Sequence, residues 1–171
     1  AYCQAIESLA GVEVPQRALS WRVVLLELER LYNHVTDTGA LLADTGFAVG
    51  QAHALRIRES LLRLNKRLTR HRLLRGSVVP GGVVSATYDL ASLTHELARL
   101  LADFDELVDI SLANTLVSDR LEETGRLSRD VAEDFGVVGY VARACGLAQD
   151  ARVDFPFAAY AGLPVTAAVE Q

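Results

Sequence analysis

Apolar residues recur along most of this chain at the three- and four-residue intervals of an amphipathic helix. The intervals predict a first long helix over about 16–47, directly after Pro15, whose fixed backbone angle suits a helix start. A second long helix is predicted over about 51–74. A third begins near Ser85 or Thr87 and carries a regular seam of leucines, which is typical of a helix packed against other helices.

The segments outside the long helices have shorter patterns. The stretch "PGG" at 80–82 predicts a turn, and the valines beside it predict a small β/turn segment near 76–84. Short helices are predicted over 115–123 and 128–135, and the glycine-containing stretch after them is expected to form loops. The pattern as a whole predicts a mainly all-α fold. We expect an antiparallel bundle of three long helices plus short helices, in a single helical domain over 1–171.

Composition narrows the classes of protein to which this chain can belong. Half of the 171 residues are apolar, and the net charge of −5 argues against nucleic-acid binding, which needs a positive excess. No apolar stretch is long enough to span a bilayer, so we expect membrane contact only through partner proteins. Cys3 and Cys145 have neither disulfide nor zinc-site spacing, which indicates a reducing, cytoplasmic compartment. The absence of methionine and the start within a predicted helix favour a segment of a longer protein.

Patterns typical of a self-contained enzyme are absent from the sequence. The histidines lack metal-ligand spacing, and there is neither a phosphate-binding glycine loop nor a nucleophile elbow. The first candidate site is a basic stripe on the second helix, spaced at i, i+3, i+4 and i+7. Its members are Arg63, Lys66, Arg67 and Arg70, and it is extended by His71, Arg72 and Arg75. Such a basic stripe either binds an anionic partner, a lipid headgroup or an acidic subunit face, or is a solvated helix face opposite the leucine seam.

Two further clusters carry charge. His34 and Asp44 lie along the charged face of the first helix, where such groups either line a cleft and carry protons or are surface charges. The other cluster lies in the glycine-containing stretch, and it either clamps loops together by ion pairs or forms part of a binding site. Its members are Arg143, Asp150, Arg152 and Asp154.

Four blocks of the sequence carry a family resemblance: "AIESLAGVEVPQRA", "LELERLYNHVTDTGAL", "RIRESLLRLNKRLTRHRLLRGSVVPGGV" and "GRLSRDVAEDFGVVGYVARACGLAQDARVDFPF". They resemble the large subunits of membrane-bound, energy-converting NiFe hydrogenases of the formate-hydrogenlyase type. They also resemble a homologue of those subunits, the quinone-site subunit of respiratory complex I. The resemblance extends from Ala5 to about Tyr160, and the last block looks closer to the hydrogenase branch.

The resemblance implies where metal chemistry lies in such proteins. In the hydrogenase branch, one Cys-x-x-Cys pair precedes the segment similar to "AYCQAIE", and a second pair lies beyond the position of Gln171. Those four thiolates hold a Ni–Fe centre, for which soft sulfur ligands are suited. The chain contains neither pair, and Cys3 and Cys145 do not match the motif positions. The resemblance therefore implies the central part of a large subunit, which holds no metal and is inactive alone. The whole protein holds Ni–Fe only if both pairs flank this part.

The resemblance also implies roles for single residues. Asp44 corresponds to an acidic residue near the head of the quinone cavity in complex I, and His34 to a characteristic histidine of the family. Both are therefore candidates for a proton route or a cavity lining. The block at 143–152 matches a family motif and is expected to be mainly structural. Arg70 stands where the family usually has glycine, which deepens the basic stripe.

The leading interpretation is a redox subunit that interconverts protons and hydrogen. Its implied partners are an iron–sulfur small subunit and membrane-arm subunits, at the cytoplasmic, inner face of a membrane. One alternative is a quinone-reducing subunit of a complex I-like assembly, with quinone as substrate. An alternative of another class is a non-catalytic assembly module whose basic stripe docks partner subunits.

Overall fold

The computed structural model describes residues 1–84, 89–166, 168 and 169. Helices dominate, which confirms the predicted mainly all-α fold, and one short two-stranded sheet is present. Among the described residues, no helix combines the length and the apolar character needed to cross a bilayer. The elements in chain order are α1 (Tyr2–Ala10), α2 (Gln16–Asp44), α3 (Ala48–Thr69), β1 (Val78–Val79), β2 (Gly82–Val83), α4 (Leu90–Leu112), α5 (Thr115–Leu121), α6 (Arg129–Asp134), α7 (Gly139–Ala144) and α8 (Ala151–Asp154).

The three long helices form the predicted bundle. α2 packs along α3, and α3 packs on α4. Because only residues 45–47 join α2 to α3, these two helices run antiparallel. Burial of each leucine side chain contributes about 1.5–3 kcal/mol to folding, and α3 buries its whole predicted seam. That seam comprises Ile57, Leu61, Leu64 and Leu68.

The α4 seam is buried at Leu93, Leu100 and Leu107. Leu90, the leucine at the start of the helix, is 61% exposed. The predicted helix start at residues 85–87 lies outside the described residues. From Asp89 onward the start is defined, since the Asp89 carboxylate accepts hydrogen bonds from the first backbone N–H groups of α4.

Glycines determine both the packing and the end of α2. Gly39 lies within the helix, and a Cβ atom there would stand 3.0 Å from the Cβ of Ala54 on α3. The missing side chain therefore lets the two helices approach closely. Gly46 follows the helix with a φ of 86°, and this left-handed backbone ends α2 at Asp44 rather than near 47. α3 likewise ends before the predicted position, because Arg70 takes a φ of 65°.

The predicted β/turn segment is confirmed as an antiparallel hairpin. Val78 pairs with Val83, and Val79 pairs with Gly82. Pro80 and Gly81 form the turn between the strands. The second strand packs on α2 near Arg22, so the hairpin lies against the first half of that helix.

The chain divides into two compact units, 1–122 and 123–171. The first contains the bundle and the hairpin. In the second, Ser128 caps α6 by accepting a hydrogen bond from the Val131 N–H, at the start of the short helix predicted over 128–135. Small apolar side chains form the core of this unit: Ala132, Ala142 and Leu147. That the two units fold as one domain stays a prediction.

Candidate functional site

A cavity of about 280 Å³ lies between α2, α3 and α4. Its polar groups are the imidazole of half-buried His34 and the carboxylate of exposed Asp105. An apolar cavity with a few polar groups is the usual form of a small-ligand site. His34 lines this cavity, and its role on a proton route or in the lining of a functional cavity stays a prediction. The apolar wall comprises Leu31, Val35, Ile57, Leu61, Leu97, Leu100, Leu101 and Phe104.

Asp44 lies apart from this cavity. It is the last residue of α2 and is exposed. Ten residues separate it from His34, which is about 15 Å along the axis, and the two positions differ by about 80° around it. No Lys, Arg or His side chain lies within ion-pair distance of Asp44 in the described part of the chain. Asp44 is therefore exposed and forms no ion pair among the described residues, and its place on a proton route or in a cavity lining stays a prediction.

The basic stripe is divided by ion pairs. The Arg63 Nε donates to a Glu59 carboxylate oxygen at 2.8 Å, within the same helix. Arg67 pairs with Glu96 of α4. The stripe is therefore not a uniform cationic face. The members that form no ion pair among the described residues, and line a pocket at the end of α3 instead, are Lys66 and Arg70.

The cluster of Arg143, Asp150 and Arg152 converges in the second unit. Arg152 donates to both carboxylate oxygens of Asp150 at 2.6 and 3.0 Å, and Arg143 lies 3.8 Å away. These hydrogen bonds, chiefly from Arg152, hold the pKa of Asp150 well below its usual value. Asp150 also caps α8 by accepting from the Arg152 N–H. The cluster thus clamps the loop before α8, and its two arginines line a cavity of about 370 Å³.

The "RIRE" block at 56–59 also forms ion pairs. Arg56 donates to both carboxylate oxygens of Asp103 at 2.7 Å, which ties α3 to α4. Glu59 accepts from Arg72 beyond the end of α3, and this hydrogen bond is the main reason that its pKa is lowered to about 2. Both residues therefore have a structural role, since one joins α3 to α4 and the other holds the segment after α3.

Sequence reasoning missed the most buried ion pair of the first unit. Arg22 donates to the two carboxylate oxygens of Glu7 at 2.9 and 2.5 Å. The same guanidinium donates to the carbonyls of Val79 and Gly82, and the Gly81 N–H donates to Glu7. The pair thus joins α1, α2 and the hairpin. Its only sequence signal is a charge inside the apolar run "LSWRVVLL", which predicts a buried partner without identifying it.

The cysteines do not form a metal centre. Cys3 donates from Sγ to the carbonyl of Val78 at 3.6 Å, and Cys145 is half-buried against the apolar cluster of the second unit. Across the described ranges, no three His, Cys, Asp or Glu side chains are grouped to hold a metal ion. These residues therefore do not fit a four-thiolate Ni–Fe centre, and no catalytic step through one is assigned to them.

Comparison with known proteins decides the family. The sequence profile of the family described as "Respiratory-chain NADH dehydrogenase, 49 Kd subunit" matches residues 44–171. The chain belongs to this family.

Relatives within this 49 kDa subunit family come from both expected branches. Over its whole length the chain is 36% identical to formate hydrogenlyase subunit 5 of Escherichia coli (strain K12), of which it covers 30%. It is 33% identical, over 94% of its length, to a subunit of the NADH-quinone oxidoreductase of Saccharopolyspora erythraea, of which it covers 36%. These matches confirm the superfamily resemblance, and the chain spans about a third of these relatives' length.

A solved structure supports the same membership. The chain superposes with a TM-score of 0.87 and 27% identity on a chain from the membrane-bound sulfane sulfur reductase, an archaeal respiratory membrane complex. The match covers 96% of this chain and 45% of the other. The chain therefore has the helical fold of this family of oxidoreductase subunits.

Proposed function

We propose that this chain is the central helical part of the large subunit of a multi-subunit, membrane-associated NiFe hydrogenase of the formate-hydrogenlyase type. The observation that carries the proposal is the 36% identity to formate hydrogenlyase subunit 5 along the entire chain. The whole protein would interconvert protons and hydrogen and pass electrons to an iron–sulfur small subunit. It would lie at the cytoplasmic, inner face of the membrane, together with membrane-arm subunits.

The chain's own contribution is a scaffold and a set of polar positions. The α2–α4 bundle fixes His34 at the wall of an apolar cavity. Asp44 stands exposed at the end of α2, where a group from outside these residues can pair with it. A carboxylate that gains a cationic partner in a dry site can be tuned for proton exchange near neutral pH. The 171 residues alone are expected to be inactive.

A second candidate is a quinone-reducing subunit of a complex I-like assembly. It is favoured by the family profile and by the 33% identity to the NADH-quinone oxidoreductase subunit of Saccharopolyspora erythraea. In this alternative the whole protein needs no Ni–Fe centre and takes a quinone as substrate.

One assay distinguishes the two enzyme functions. The full-length protein, purified with its partner subunits, is supplied either with hydrogen and a viologen dye or with NADH and a short-chain quinone. The proposal predicts dye reduction by hydrogen and no quinone reduction by NADH. The reverse pattern would establish the second candidate.

The non-catalytic assembly module remains a separate hypothesis, supported by the basic stripe. It predicts salt-sensitive capture of the small subunit by this chain, lost when Arg63, Lys66 and Arg67 are replaced by glutamate. Because Arg63 and Arg67 already pair with carboxylates, Lys66→Glu alone should give most of the loss. Unchanged capture by Lys66→Glu would exclude this role for the stripe. A complex that captures its partner and lacks both redox activities would favour the module over either enzyme.

A further inference from the structure

The pocket at the carboxyl end of α3 has a volume of about 470 Å³ and is rich in cations. One wall is a row of α3 residues at i, i+4 and i+8, namely Arg58, Leu62 and Lys66. The chain segment 70–73 folds back to form the opposite wall. None of the described residues lining this pocket is acidic.

The opposite wall is held in place by α3. The side-chain amide of Asn65, which is fully buried, donates to the backbone carbonyl of Arg72 at 3.1 Å. The guanidinium of Arg72 donates to Glu59 at 3.0 Å. The hydroxyl of Thr69 accepts a hydrogen bond from the His71 N–H. The pocket is therefore a fixed feature of this fold.

Three of its cations have no counter-charge. Arg58, Lys66 and Arg70 form no ion pair among the described residues, whereas Arg72 is balanced by Glu59. The Nε atom of Arg58 is buried and has no hydrogen-bond partner in the described structure. Buried donors are normally satisfied, so we expect an acceptor here, either a water molecule or a ligand oxygen.

His71 adds a further donor. Its Nδ1 accepts hydrogen bonds from the backbone N–H groups of Leu73 and Arg75 at 3.1 and 3.3 Å. A neutral imidazole whose Nδ1 accepts carries its proton on Nε2. The ring therefore offers an N–H donor from a residue that lines the pocket.

The backbone conformation of Arg70 also favours a binding function for this pocket. Its φ of 65° and ψ of 2° are left-handed angles, which favour glycine at the end of a helix. The dipole of α3 attracts cations to its last turn and explains Lys66 in part. It explains neither Arg58, which lies in the middle of the helix, nor an arginine in a conformation that costs free energy. Strain at a residue whose side chain lines a pocket is a reason to infer a function.

We propose that this pocket binds a phosphate group. Three unpaired cations and an imidazole N–H exceed what one carboxylate needs, whereas a phosphate monoester brings nearly two negative charges and three acceptor oxygens. Leu62 and Leu73 make part of the wall apolar, so the phosphate is carried on a carbon-containing body. A soluble phosphate monoester and the monoester headgroup of phosphatidic acid share this chemistry.

Titration with inorganic phosphate tests the site. The purified 171-residue chain is titrated by calorimetry at constant ionic strength, and its melting temperature is measured in phosphate and in chloride. Saturable binding and a higher melting temperature in phosphate are expected. Arg58→Gln and Lys66→Gln should each lower the affinity about tenfold, the effect of one lost charged hydrogen bond. Arg99→Gln removes the same charge from an exposed position on α4 and should bind phosphate normally.

Arg70→Gly separates binding from stability. It removes a pocket cation and relieves the left-handed backbone at the same time. The variant should bind phosphate about tenfold more weakly, while its melting temperature without phosphate is equal to or higher than that of the parent chain. A substitution that weakened binding only by loosening the fold would lower both quantities. Normal phosphate affinity in Arg70→Gly would overturn the proposed site.

Flotation with lipid vesicles identifies the source of the phosphate. Binding to phosphatidic acid vesicles but not to phosphatidylcholine vesicles, lost in Lys66→Gln and retained in Arg99→Gln, would assign a lipid headgroup. Binding of free phosphate without vesicle binding would assign a soluble phosphate ester. Absence of saturable binding in both experiments would overturn the proposal, as would an equal loss of binding in Arg99→Gln.

Discussion

Arg22 and Glu7 form a bidentate ion pair in which each side chain is only 7% exposed. The same guanidinium also donates from Nε and Nη2 to the hairpin carbonyls of Val79 and Gly82. A buried charge is tolerated only when it is paired and hydrogen-bonded in this way. The pair therefore fixes how α1 and the hairpin meet the start of α2.

Removal of one partner from this ion pair should destabilise the chain. Glu7→Gln keeps the side-chain shape but leaves the Arg22 guanidinium without a counter-charge, so we expect the melting temperature to fall by several degrees. Glu13→Gln removes the same charge from an exposed position and should leave it unchanged. Thermal unfolding followed by circular dichroism compares the two variants. Equal melting temperatures for both would contradict a stabilising role for the pair.

The same pair predicts how stability depends on pH. Hydrogen bonding from Arg22 lowers the pKa of Glu7 from 4.5 to about 2. A lowered pKa in the folded state means that the stabilisation is complete above the unfolded-state pKa and is lost as pH falls towards the folded-state pKa.

The free energy of unfolding should therefore differ between the parent chain and Glu7→Gln by a constant amount above about pH 5, and the difference should shrink between about pH 4.5 and pH 2. Denaturant unfolding at a series of pH values measures the difference. Because other carboxylates titrate in both proteins, the comparison isolates Glu7. A difference that stayed constant down to pH 2 would show that Glu7 is not the titrating group.

The long helices could be predicted from the sequence because a hydrophobic period near 3.6 residues is a local property of the chain. It predicted α2, α3, α4 and the buried seam of α3. The partner of Arg22 was not readable, because Glu7 lies on a different helix and meets it only through the hairpin at 78–83. Pairings between distant positions depend on tertiary packing, which periodicity does not encode.

The close approach of α2 and α3 at Gly39 gives a packing prediction. Gly39→Leu would place a side chain where even a Cβ atom stands 3.0 Å from Ala54, so the helices must separate. We expect the free energy of unfolding to fall by about 1–3 kcal/mol. Ala40→Leu adds the same side chain at the next, exposed position and should change stability by less than about 0.5 kcal/mol. Denaturant unfolding that gave the same value for both variants would contradict the close approach.

The candidate site illustrates a second difference between sequence and structure. Helical spacing placed His34 and Asp44 along one charged face, yet His34 lines a cavity and Asp44 is exposed at the helix end. Over ten residues, the 100° step per residue moves a position well around the helix. Spacing likewise grouped Arg63 and Arg67 with Lys66, but their acidic partners at Glu59 and Glu96 become evident only when the structure is known.

The proposed proton route gives a prediction for the full-length protein. Asp44→Asn removes a titratable group and should lower turnover about tenfold or more, while assembly with partner subunits is unchanged. Asp109→Asn makes the same substitution at an exposed position on α4 and should retain full activity. Activity per assembled complex is the quantity to compare. Full turnover in Asp44→Asn would remove this residue from the proton route.

The most direct test of the proposed function is the nickel content of the full-length protein, together with the sequence on both sides of these 171 residues. The account predicts one Cys-x-x-Cys pair before Tyr2, a second after Gln171, and about one nickel ion per large subunit, as a four-thiolate Ni–Fe centre requires. Flanks without both pairs, and a purified complex without nickel, would contradict a hydrogenase and leave the quinone-reducing subunit or the assembly module.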